Sequence, residues 1–225
     1  MLRLAVDISN YSGVISPAQA EALKNFGVVK AVVQFVNPTA SIHAEQIPNL
    51  LAAGIEVEGY VYIWFSGGVD FVAQRVTWAC TEMKKYVTTG LMWLDCEQAD
   101  TDNPPFDYVH APVTPQIRAG IAAVTNAGLT PGIYTAAWWW IPGASNTTEF
   151  SSQGVPLWNA NYDLNPDLDP VNYGGWTVPR MEQFQGSTVL VGIPMVDLDS
   201  IESLPTVDIE AVRAKLREAL ILLGS

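Results

Sequence analysis

Asp95 and Glu97 stand two residues apart at the end of the apolar run "LMWL", with Cys96 between them. A carboxylate that ends a buried run costs free energy unless its charge is used. On an extended backbone the two acids share a face, with Cα atoms about 7 Å apart, and Cys96 points the other way. Two more apolar runs carry acids: "LRLAVDIS" holds Asp7, and "GIPMVDLDS" holds Asp197 and Asp199. Crowded carboxylates repel one another, so at least one keeps its proton above the ordinary carboxylate range. A protonated carboxyl beside an ionised one is the arrangement that glycosidic bond cleavage uses.

Aromatic residues fit the same chemistry. Tyr60, Tyr62 and Trp64 alternate toward one face of "IEVEGYVYIWF", Trp158 sits in "VPLWNANY", and a Trp triplet occupies 138–140. Their flat faces suit the C–H faces of pyranose rings, and Tyr and Trp add hydrogen-bonding tips. Structural duties compete for these residues. Burial preference assigns the triplet in part to the core, and Asp199 and Asp208 are read as structural. Acid clusters also hold Mg²⁺ or Ca²⁺, but His43 and His110 give no metal-ligand spacing, so neither metal nor cofactor is expected. H-E-x-x-H, G-x-S-x-G, P-loop and G-x-G-x-x-G signatures are absent.

The elements that must position these acids alternate. Strands are expected over 2–9, 28–36, 55–65, 91–97 and 129–136. Helices are expected over 16–27, 43–54 (with Pro48 an interruption), 69–87 and 114–128. Such alternation indicates parallel β/α units. After residue 136 the rhythm changes: strand candidates "VPLWNANY", "PRMEQFQG" and "VLVGIPMVDLD" are separated by Gly, Pro and Asn. Three apolar strands finish in carboxylates. In a β/α barrel, strand C-terminal ends gather on the face that carries active sites. Closure would set the first strand beside the last, and Asp7 beside Asp197. Residues 207–224 read as an amphipathic helix packed on the body, with a dimer contact as the alternative. One domain over 1–225, and a monomer, are expected.

Composition excludes other classes. The 225 residues carry 11 Lys and Arg against 23 Asp and Glu, a net charge of -12, with no basic stripe. Nucleic acid and anionic membrane surfaces are poor partners for such a chain. No apolar run approaches the roughly 18 residues of a transmembrane helix, and "MLRLAVDIS" lacks a secretory signal. Two cysteines make no disulfide scaffold. Cys80 and Cys96 are either buried thiols or one bridge between a helix and a strand.

Taken in order, "VDISNYSG", "LMWLDCE", "GLTPGIYT", "LWNANY", "EQFQGS" and "MVDLD" resemble the glycoside hydrolase family 25 lysozymes, from residue 4 to about 199. The resemblance implies a TIM-barrel-like flattened α/β barrel of five β/α units followed by three further strands. It implies an N-acetylmuramidase that cuts the β-1,4 bond between N-acetylmuramic acid and N-acetylglucosamine in a peptidoglycan glycan strand. By it, Glu97 is the general acid and Asp95 orients the substrate acetamido group, while Asp7 and Asp197 shape the field. Tyr62, Trp64, Tyr134, Trp158 and Gln183 line the saccharide site. A retaining course through acetamido attack and an inverting course with an Asp-activated water stay open. The family's Tyr-His-Phe run on the third strand is replaced by "YVYIWFS". The family also implies action outside the cell or at the cell wall, with a phage-type endolysin as one form. The alternatives are a non-catalytic glycan-binding or virion protein on the same scaffold, and a metal-dependent barrel hydrolase.

Overall fold

The computed structural model describes residues 2–39, 42–88, 90–97 and 113–202. The expected helix over 207–224, together with His110 and Asp208, lies outside them.

Eight strands close into a barrel in chain order: β1 (Leu2–Ile8), β2 (Val28–Gln34), β3 (Glu56–Tyr62), β4 (Leu91–Asp95), β5 (Thr130–Thr135), β6 (Leu157–Ala160), β7 (Met181–Leu190) and β8 (Ile193–Glu202). The helices between them are α1 (Pro17–Phe26), α2 (His43–Ala52), α3 (Gly68–Met83), α4 (Thr114–Asn126), and the short α5 (Ala137–Gly143) and α6 (Glu149–Ser152). Five β/α units followed by three strands is the arrangement expected. Local signals explain the boundaries. Ser16 and Gln19 form a reciprocal capping box at the start of α1, and Gly27 closes it in a left-handed conformation at φ 111°. Only glycine adopts that geometry at little cost. Helix α2 runs through Pro48 without a break.

β1 to β7 pair in parallel, whereas β8 is antiparallel to both neighbours. This corrects two expectations. The stretch "VLVGIPMVDLD" is not one strand, because Val189 and Leu190 finish β7 and the chain turns at Val191 and Gly192. Both turn residues have positive φ, 46° and 79°, as two-residue hairpins require. A turn that short reverses the chain, whereas a parallel partner needs a crossover of a dozen or more residues. Asp197 therefore does not end its strand; it reaches the acidic face from the first half of β8. Closure still makes it the register partner of Asp7.

Alternation sorts each strand between two cores. Outward residues such as Val6, Val33, Val61 and Leu94 pack under the helices. Inward residues Ala5, Val32, Tyr60, Leu91, Trp93, Tyr134, Trp158, Met181 and Ile201 fill the barrel. Gly132 makes room for the largest of them, since a Cβ there would lie 2.3 Å from the Trp93 ring. Cys80 and Cys96 are both free and buried on the helix side. The Trp triplet lies on α5, where Trp139 and Trp140 are buried and Trp138 is exposed.

Candidate active site

The carboxylates meet where the parallel strands end. β4 stops at Asp95, yet the next two residues remain held. Cys96 N–H donates to the Tyr134 carbonyl (2.9 Å) and Ile63 N–H to the Asp95 carbonyl (3.0 Å). The Thr135 hydroxyl donates to the Cys96 carbonyl (2.8 Å) and the Tyr62 hydroxyl to the Glu97 carbonyl (3.1 Å). The Cys96–Glu97 segment is thus held past the end of its strand, Cys96 by β5 and Glu97 by Tyr62 of β3. Asp95 is buried, and its Oδ1 has no hydrogen-bond partner among the described residues.

Opposite them, Gln183 on β7 joins four groups. Its Nε2 donates to Asp7 Oδ2 (2.7 Å) and Asp197 Oδ2 (3.1 Å), and its Oε1 accepts from the Tyr134 and Tyr162 hydroxyls, each at 2.7 Å. Two donors and two acceptors are all used. The Ser187 N–H also donates to Asp197 Oδ1. Below this layer Trp158 donates from Nε1 to Asp199 Oδ1 (2.8 Å).

Burial and mutual repulsion govern the charge state. Asp7 is held far above the usual carboxylate range by burial first, then by the charges of Asp197 and Asp199, with the Gln183 bond opposing. Burial, then the Glu97 charge, also holds Asp95 well above that range. Glu97 is pushed up to about 7 by burial and by Asp197. Asp197 is raised by burial, against the opposing hydrogen bonds from Ser187 and Asp7. Tyr60, inside the barrel, is held protonated by burial and by the fields of Asp7, Asp95, Asp197 and Glu97 together. Acids from the start, middle and end of the chain share one hollow.

Tyr62 and Trp64 flank this hollow, their rings edge to face at 5.9 Å, and Trp64 is 40% exposed. β3 ends at Tyr62, so Trp64 caps the following turn rather than continuing the strand. Three of the residues expected to line the saccharide site, Tyr134, Trp158 and Gln183, are buried beside the acids. Trp158 is buried against Tyr134 (ring centroids 4.5 Å) and bonded to Asp199, and Gln183 has no hydrogen bond to spare. Gln183 holds Asp7 and Asp197 within their own layer, and Trp158 packs against Tyr134 from one layer down. Tyr162 was not singled out, although it ends the "LWNANY" segment; its ring is 56% exposed while its hydroxyl reaches Gln183. Asp199, read as structural, is so in its bond to Trp158, but its charge also acts on Asp7.

Among the described residues, Asp163, Asp167 and Asp169 bring carboxylate oxygens within 4.8 Å of one another. They lie between β6 and β7, apart from the four acids, and Asn161 and Asn165 donate into them.

Carboxylates gathered at the parallel strand ends of a closed barrel are an arrangement that glycoside hydrolases use. The family model of glycosyl hydrolases family 25 matches residues 6–193, and the chain belongs to that family. It is 27% identical over 151 residues to a probable GH family 25 lysozyme 3 of Dictyostelium discoideum, across 66% of this chain and 30% of that protein. The chain spans about a third of the length of the curated relatives it matches. Its fold is similar to a muramidase from Trichobolus zukalii, with a TM-score of 0.67, 20% identity, and 95% and 99% of the two chains covered. It is also similar to a family 25 glycosyl hydrolase from Bacillus anthracis, with a TM-score of 0.65, 13% identity, and 90% and 89% covered. No helix among the described residues is long and apolar enough to cross a membrane.

Proposed function

We propose that this chain is an N-acetylmuramidase that cleaves the β-1,4 bond between N-acetylmuramic acid and N-acetylglucosamine in peptidoglycan, and so acts at the cell wall. The observation that carries this reading is the Asp95–Glu97 pair at the end of β4, two neighbouring carboxyls that burial holds above the ordinary range. Glu97, at about 7, is populated as an acid near neutral pH and can still give up its proton.

Asp95 Oδ1 is a buried acceptor without a donor among the described residues. The 2-acetamido N–H of the substrate is a donor of the right kind. Its hydrogen bond would favour ionised Asp95 and leave the pair's shared proton on Glu97, where the leaving oxygen needs it. The acetamido carbonyl oxygen then attacks the anomeric carbon as its bond to the leaving oxygen breaks, and Glu97 protonates that oxygen. Water next adds to the anomeric carbon, giving its proton to the Glu97 carboxylate and releasing the acetamido group, with net retention. Asp7 and Asp197, fixed by Gln183, supply the negative field that favours the developing oxocarbenium charge. Trp64 and Tyr62 offer ring faces for a neighbouring sugar.

The family membership supports a glycoside hydrolase, and four acids kept close at the cost of their repulsion speak against a glycan binder that does not cut. The test is product analysis from a defined muropeptide polymer. Fragments with reducing muramic acid ends are expected, and Glu97→Gln should abolish them with the fold intact.

A further inference from the structure

At the end of the barrel opposite the acids, where the parallel strands begin, residues at the strand ends line a partly open cavity of about 290 Å³. Its walls carry three cations, Arg3, Lys30 and Arg180, and three acids, Glu56, Glu58 and Glu202. Part of this set is matched internally. Lys30 Nζ bridges Glu58 and Glu56, the latter at 3.7 Å, and Glu58 accepts from Trp93 Nε1 at 2.8 Å. One acid in this group remains in excess.

The other part is not matched. Arg3 Nε is shut off from solvent with no hydrogen-bond partner among the described residues. A charged donor left so is costly until an acceptor reaches it. Arg180 faces the same space, and its side chain has no ion pair among the described residues. Two guanidinium groups on one cavity suit a carboxylate, which they can grip through paired N–H donors. The surplus acids, Glu56 and Glu202, suit an ammonium group at the same time. Met181 and Ile201 add apolar wall to the same cavity. The volume lies at the small end of ligand pockets, which run about 300–1,000 Å³.

We propose that this cavity binds a small zwitterion, an α-amino acid or a dipeptide with free ends, with its carboxylate on Arg3 and Arg180 and its ammonium toward Glu56 and Glu202. The site is separate from the acidic hollow, since Trp93 and Trp158, 5.7 Å apart in the barrel interior, fill the space between. It does not depend on the muramidase reading.

Calorimetric titration of the full chain with alanine, alanylalanine, acetate and ethylamine tests this. One or both zwitterions should bind saturably and at least tenfold more tightly than either singly charged probe; which one binds distinguishes free amino acid from peptide. Arg3→Gln and Arg180→Gln should each weaken binding tenfold or more, whereas Glu97→Gln should leave it unchanged. Arg180 is exposed, so its variant carries the test if Arg3→Gln fails to fold. Absence of saturable binding, equal affinity for acetate, or binding indifferent to Arg180→Gln would overturn the proposal.

Discussion

Asp7 and Asp197 are register partners across the β1–β8 ladder, although 190 positions separate them in the sequence, and the Gln183 amide nitrogen bonds to both. Two carboxylates in that relation titrate as a pair, and the charge of Asp197 reaches Glu97. The pH behaviour of the hollow follows.

The first consequence concerns the basic limb of activity. In the proposed mechanism the acid form of Glu97 is the active one, so kcat/KM should fall as pH rises through about 7. Asp197 raises Glu97 by its negative charge. Asp197→Asn removes that contribution and should move the basic limb to lower pH. A pH–rate profile of the two proteins measures the shift; an unchanged limb would detach Asp197 from Glu97.

Stability should depend on pH in the opposite sense to most carboxylate-rich proteins. Asp7, Asp95 and Asp199 have folded-state values well above the ordinary range, and Glu97 and Glu182 stand near 7. Groups raised by folding favour the folded state below their unfolded values, about 4. They lose that contribution as pH rises through the folded values. The melting temperature should therefore fall between pH 5 and pH 8. Asp199→Asn, which keeps an acceptor for Trp158, should raise it at pH 8 more than at pH 5, as thermal unfolding at both pH values would show.

Gln183 is expected to be structural and positional at once. Replacing it by Leu takes the amide donor from buried Asp7 and leaves the Tyr134 hydroxyl with only the Tyr162 hydroxyl at 3.2 Å, at a cost of about 1–3 kcal/mol. Denaturant unfolding should show that loss, and turnover should fall tenfold or more, since the field on the far wall is no longer fixed.

Trp64 offers an exposed ring that no catalytic proton needs. Trp64→Ala should raise KM several-fold with kcat little changed, by steady-state kinetics on a soluble glycan oligomer. A loss confined to kcat would place Trp64 in the chemistry instead.

What the sequence made legible follows from period and punctuation. Alternation put Asp95 and Glu97 on one face, and the Ser16 cap and Gly27 stop marked α1 to the residue. The reversal of β8 was missed because Val191-Gly192 does not belong to the usual Asn-Gly or Asp-Gly signal for a primed hairpin. Asp197 was placed in the hollow by the right closure but the wrong strand direction. The depth at which Trp158 and Gln183 are buried was not legible either. Whether an inward residue meets the ligand or lies one layer below depends on barrel stagger, which no local pattern encodes. Tyr162 was within reach, at the end of a segment already singled out.

The most direct test is to digest a defined, peptide-bearing glycan polymer and weigh the products. Reducing muramic acid ends from the native chain, with none from a folded Glu97→Gln variant, is the predicted result. Reducing glucosamine ends, no cleavage by the native chain, or full cleavage by the variant would contradict it.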